Sequence, residues 1–158
     1  MNIFILDNDV KKAAAYHNDK HCVKMILELA QLMSTAHHVT ESPFADKLYK
    51  KTHVNHPCAI WVRESESNYL WTYRLFVALC DEYSLRYGRL HKTFSERAGW
   101  LAMIPELPNV GQTEFKQCMP DDCKVEGDAV QAYRNYYKLH KSHIATWKTD
   151  PPDWWEET

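Results

Sequence analysis

Between His17 and Thr35 the sequence reads HNDKHCVKMILELAQLMST, and winding it at about 100° per residue splits it into two unequal faces. His17, Lys20, His21, Lys24, Glu28, Gln31 and Thr35 share one arc roughly 100° wide, while Cys22, Val23, Met25, Ile26, Leu29, Ala30 and Met33 occupy most of the rest. A helix this apolar must be covered by other elements over most of its girth. Its polar stripe would serve as an ordinary solvated face. The two imidazoles, two ammonium groups and one carboxylate along it also make it a candidate pocket wall.

The remaining chain supplies more helices and little else. Asn2 to Leu6 reads as one short strand, apolar enough to be buried, and Asp7-Asn8-Asp9 offers turn and cap side chains. Helical patterns follow over Val10–Asn18 and Asp19–His38, with Asp19 able either to cap a new helix or to lie inside a continuous one. After a loop at Ser42-Pro43, Asn55-His56-Pro57 opens a helix, and Asn68 to Tyr87 carries an aromatic core stripe ended by Gly88. Ser95–Ile104 predicts a shorter helix and Asp128–Trp147 a last long one. Residues 105–127, with three prolines and two glycines, form an irregular loop of a length often used as a lid or binding loop. Trp154 and Trp155, in a Trp-rich tail over 148–158, are suited to cover an apolar groove on this chain or on a partner. The expectation is one all-α domain over 1–158, of five or six helices with a short N-terminal strand.

A chain of 158 residues can bury a sizeable core without disulfides or metals. Five cysteines with no CxxC pair argue against a disulfide framework, and Cys22 and Cys80 fall on apolar helix positions. No apolar run approaches a membrane span, and MNIFILDND lacks the basic start of a signal peptide, so a cytoplasmic location is expected, that of the host cell if the gene is a phage's. A net charge of −2 gives no global attraction to nucleic acid, which makes DNA a less favoured partner than a small anion.

Three constellations carry chemistry. The first is the 17–28 stripe, where Lys20 and Lys24 beside His17 and His21 suit a phosphate better than a cation; no metal and no cofactor is expected. The second is THVNHPCAIWVRESESN, which crowds His53, His56, Arg63 and Asn68 around a helix start, with Arg63 able to clamp a phosphate bidentately. The third is the row Arg134 and Lys138 among the tyrosines of YRNYYK. Together they predict a protein that binds a phosphorylated nucleotide, capturing a host nucleotide signal as an anti-defence device. In it Lys20, Lys24, Arg63, Arg134 and Lys138 hold phosphates, the histidines donate hydrogen bonds and Asn68 reads a base or ribose edge. The alternatives are a metal-independent nucleotide- or DNA-cleaving enzyme on the same site, with His17, His21 and Glu28 as catalytic groups, and a host-protein-binding module built on the tail. Pairing of two copies through the N-terminal strand is a further expectation.

The segments NIFILDND, YHNDKHCVKMILELAQ, HVNHPCAIWVRES, SNYLW, CDEYSLRYG and AYRNYY resemble a family of small proteins encoded by tailed bacteriophages, over most of the chain. More distantly, the chain is similar to the endonuclease V-type pyrimidine-dimer DNA glycosylases of phages, which are also small, helical and single-domain. Those enzymes use a free N-terminal α-amine as nucleophile and a glutamate on an early helix. The resemblance implies Glu28 as that carboxylate.

Overall fold

Each helix of the fold starts on a side chain that the sequence places at its N-terminus. In the computed structural model, which describes residues 1–155, α1 spans Val10–Tyr16 and α2 Asp19–Val39, with Asp9 and Asn18 accepting from the free N–H groups of their first turns. α3 (Pro57–Glu64) is capped by the His56 ring and carries Pro57 in its first turn; α4 (Glu66–Tyr87) is capped by Ser65 and closed by Gly88 at φ 68°. α5 (Lys92–Leu101) starts on the His91 ring, and α6 (Ala129–His140) on Asp128. Short 3₁₀ turns lie at Ala45–Lys47 and Ser142–Ile144.

α2 is the central element. It packs on α3, α4 and α5, while α1 lies against α4. Ile26, Leu29 and Met33 of α2 meet Leu75, Phe76 and Leu79 of α4 and Trp61 of α3 in one continuous core. A polar relay crosses it. Ser42 Oγ bonds His37 Nδ1, His37 Nε2 bonds Tyr69 Oη, and Tyr69 donates to Leu101 O, so α2, α4 and α5 are tied together with every buried group satisfied.

The structure revises the expected strand. Ile3, Phe4, Ile5 and Leu6 are buried, with Leu6 N bonding back to Phe4 O, and no strand pairs with them among the described residues. Side chains take over the backbone bonds that a sheet would have made: Asn2 Oδ1 accepts from Ile3 N, and Arg134 Nε donates to Leu6 O. Burial of four such side chains contributes about 1.5–3 kcal/mol each, enough to fix the segment without a partner strand.

Two helix bounds also differ from expectation. α5 starts three residues earlier than Ser95 because His91 Nδ1 accepts from Thr93 N. α6 stops at His140 and not at Trp147 because the chain turns back to serve other helices. Thr146 O accepts from Asp19 N at the start of α2, and Trp147 Nε1 donates to Tyr16 O at the end of α1. The question at Asp19 is resolved as a break between α1 and α2. Arg86 of α4, its side chain wholly buried, holds the break by donating to Ala15 O and His17 O and pairing with Asp19 and Glu82.

Residues 102–128 contain no helix but are not loose. Asn68 Nδ2 donates to Thr113 Oγ1 and to Trp61 O, Asn68 Oδ1 accepts from Thr113 N, and Phe115 packs against Trp61 and Trp71. In the tail, Trp154 lies against Tyr16, Tyr137 and the Arg134 guanidinium, and Trp155 against Trp147, so both cover this chain's own surface. Among the described residues, no helix is long and apolar enough to cross a membrane.

Candidate active site

Burial of Ile3–Leu6 delivers the start of the chain to a fixed place. The Asn2 side chain locks it there. Its Oδ1 accepts from Ile3 N at 2.8 Å, Tyr133 Oη at 3.0 Å and Cys58 Sγ at 3.4 Å, and its Nδ2 donates to Cys118 O at 2.7 Å. With both polar atoms of the Asn2 side chain used, the α-amine of Met1 is turned towards α2. Its nitrogen lies 3.8 Å from Glu28 Oε1, where Glu28 is only 15% exposed. The second carboxylate oxygen, Oε2, is buried with no hydrogen-bond partner, an acceptor held in reserve beside the amine.

The amine and Glu28 line a hollow of about 190 Å³ with Asn2, Phe4, His21, Lys24, Met25, Tyr136 and Lys141. His21, Lys24, Met25 and Glu28 stand at i, i+3, i+4 and i+7 along α2, so one helix face supplies that wall. α6 and the residue after it supply the opposite one. The Lys141 ammonium lies 5.1 Å from the centre of the Tyr136 ring. His21 stacks on Phe4 with centroids 4.3 Å apart, and its Nδ1 lies 2.7 Å from Tyr137 Oη. Asn18 N donates to that same hydroxyl, so its proton is free to go to Nδ1, which leaves Nε2–H as the ring's remaining donor. Burial, then His17, Lys141 and Lys24, push the His21 pKa down to about 3, so the ring is neutral and donates without carrying charge.

Of the side chains singled out by sequence, His21, Lys24 and Glu28 meet at this hollow. The others do not join them there. His17 is fully buried, with Nδ1 donating to Ala13 O at 2.6 Å, and burial takes its pKa down to about 4. Asn68 is spent on the 102–128 segment, and Arg134 on Leu6 O and Asp7. Lys20 and Lys138 are exposed, and Arg63 is half-buried on α3. His53 is exposed at φ 49° with Nδ1 against Thr52 Oγ1. His56 caps α3, and the positive α-amine contributes, after burial, to lowering its pKa.

The same amine neighbourhood holds a thiol pair. Cys58 Sγ and Cys118 Sγ are 3.5 Å apart; the hydrogen bond from Cys58, helped by Lys124, brings the Cys118 thiol down to about 7. Sequence reading assigned Asn2, Lys141 and this pair no site role, placed Tyr136 only among the tyrosines of the last helix, and pointed to the α-amine only through the resemblance to the glycosylases. Only the apolar run after Asn2 hinted that the terminus would be held, and nothing local tied residue 118 to residue 58.

Chemically, the hollow pairs a primary amine with a carboxylate, a neutral imidazole donor and two flanking ammonium groups. That set suits attack on an electrophilic carbon next to phosphate. Comparison with curated proteins and with solved structures returns no match. Residues 1–95 match the model of a family described as pyrimidine dimer DNA glycosylase, a span that includes Met1, His21, Lys24 and Glu28 and stops short of Tyr136 and Lys141. With well over half of its length matched, the chain belongs to the pyrimidine dimer DNA glycosylase family.

Proposed function

We propose that this protein is a DNA glycosylase acting on pyrimidine dimers, with the Met1 α-amine as nucleophile and Glu28 as the proton-transfer group. The observation that carries the reading is the 3.8 Å approach of that amine to Glu28 Oε1 at the wall of a hollow. An ammonium group is not a nucleophile, so a neighbouring carboxylate that can take its proton is the first requirement. The free nitrogen then bonds to C1′ of the damaged nucleotide while the C1′–base bond breaks; the base departs with the bond's electron pair and takes up the proton that the alkylated nitrogen sheds. Return of a proton from Glu28 to the sugar ring oxygen opens the ring to an imine. Loss of a C2′ proton from that imine expels the 3′ phosphate and cuts the strand.

The remaining groups have roles that fit this course. His21 Nε2–H donates to the departing base or sugar oxygen, and Lys24 and Lys141 hold the flanking phosphates. The hollow is smaller than the roughly 300–1,000 Å³ of drug-sized pockets, which suits one sugar and a base edge turned out of the stack. A local pair of lysines, with the α-amine, gives the positive potential that a net charge of −2 does not.

Borohydride trapping tests the reading. Incubation with duplex DNA carrying a cyclobutane pyrimidine dimer should yield a reduced covalent complex, and digestion should place the DNA on the peptide beginning at Met1; undamaged duplex should give none. Strand cleavage without trapping, or trapping on a lysine peptide, would overturn it. Tight binding of intact nucleotides with no action on dimer DNA would instead favour capture of a phosphorylated nucleotide by Lys24 and His21.

A further inference from the structure

We propose that His56, Cys58 and Cys118 form a zinc-binding site that fastens the 102–128 segment to the start of α3. One ligand atom from each of the three lies within 4.8 Å of the others. Two sulfurs bound at about 2.3 Å to a tetrahedral zinc ion stand roughly 3.8 Å apart. Cys58 Sγ and Cys118 Sγ stand 3.5 Å apart, close to that spacing, although they come from segments 60 residues apart in sequence. Two thiolates and an imidazole are a borderline-soft donor set that selects zinc over magnesium or calcium, and the two sulfur charges neutralise the ion.

The surroundings suit the site. Asn2 Oδ1 lies 3.4 Å from Cys58 Sγ but is already engaged by Ile3 N and Tyr133 Oη, so the fourth position is left for a water. Half-buried Cys118 lines an open concavity with Pro57, Ile60, Glu64, Lys116 and Gln117, which offers an entry path on its side of the pair. His56 Nδ1 now accepts from Cys58 N, and a neutral imidazole has one free lone pair. Ion binding therefore exchanges that helix cap for a metal bond. It also releases the thiol protons to solvent. The site adjoins the seat of the chain's first residues through Asn2 but takes no part in the amine–carboxylate chemistry, so it stands whatever the chain acts on.

Titration of the reduced full-length protein with Co²⁺ alone reads it out. One equivalent should produce the thiolate-to-cobalt charge-transfer band in the near ultraviolet and the intense visible bands of tetrahedral cobalt, and one equivalent of Zn²⁺ should bleach both. Cys118→Ser should weaken Co²⁺ binding at least tenfold. His56→Asn, which keeps a side chain able to cap α3, should do so too with unchanged helical circular dichroism. Cys123→Ala should leave the spectrum unchanged, since Cys123 lies with Asp122 and His140 in a different cluster. The proposal fails if the reduced protein gives no charge-transfer band, if the band survives in both Cys118→Ser and His56→Asn, or if it disappears in Cys123→Ala. It fails equally if the only chemistry of the pair is air oxidation to a Cys58–Cys118 disulfide, seen as the loss of two hydrogens in mass.

Discussion

Glu28 has one oxygen near the amine and another buried without a partner, so its charge has more consequence than its size. Glu28→Gln keeps the shape and removes the proton acceptor; single-turnover cleavage of dimer DNA should slow by about 10²- to 10⁴-fold while DNA affinity is retained. An unchanged rate would remove Glu28 from the chemistry. The histidines give a second measurable consequence. Burial pushes His17 and His37 down to about 4 and His21 to about 3, whereas in the unfolded chain each titrates near 6.5. Below pH 6.5 the unfolded chain takes up protons that the folded one refuses, so the stability they contribute is complete above that pH. It is lost as pH falls towards 4, at about 1.4 kcal/mol per pH unit for each ring. Urea denaturation at pH 7 and pH 5 should show the midpoint dropping, and equal midpoints would contradict the neutral, buried assignment.

Among the elements, the buried start of the chain depends on α6. Arg134→Ala removes the bonds to Leu6 O and Asp7 together with the stacking on Tyr16 and Trp154. It should cost about 2 kcal/mol in urea denaturation and lower borohydride trapping along with it, because the amine loses its anchor. Asn68→Ala should cost about 3 kcal/mol and open residues 102–128 to limited proteolysis, since three hydrogen bonds to one buried carboxamide are lost at once. Helices were legible in the sequence wherever a cap or a period fixed them locally, as with Asp9, Pro57, Gly88 and the two faces of α2. The end of α6 was not, because Thr146 and Trp147 are drawn away by groups more than a hundred residues distant. The N-terminal strand misled for a related reason: its apolar run reports burial, and a side chain such as Arg134 can stand in for a neighbouring strand. Asn68 and Arg134 looked like ligand groups because polar side chains that hold a loop and polar side chains that hold a phosphate are the same residues in a sequence.

For the molecule as a whole, the proposed action on DNA requires a chain of net charge −2 to meet the duplex through a small cationic area. Lys24→Ala and Lys141→Ala should each weaken binding to any duplex and reduce the slope of log affinity against log salt by about one, measured by fluorescence anisotropy between low and physiological salt. A slope unchanged in both would move the DNA path elsewhere. Half of the candidate site, His21, Lys24 and Glu28, was readable as one stripe; the other half is assembled by tertiary contacts. Tyr136 and Lys141 face that stripe only because Phe4 is wedged among Tyr133, Tyr136 and Tyr137. This wedge makes the hollow a joint product of distant parts of the chain: a chain stopped before residue 133 would carry Lys24 and Glu28 on α2 with no opposite wall and with Phe4 unseated, so the pocket would be missing and not merely weakened.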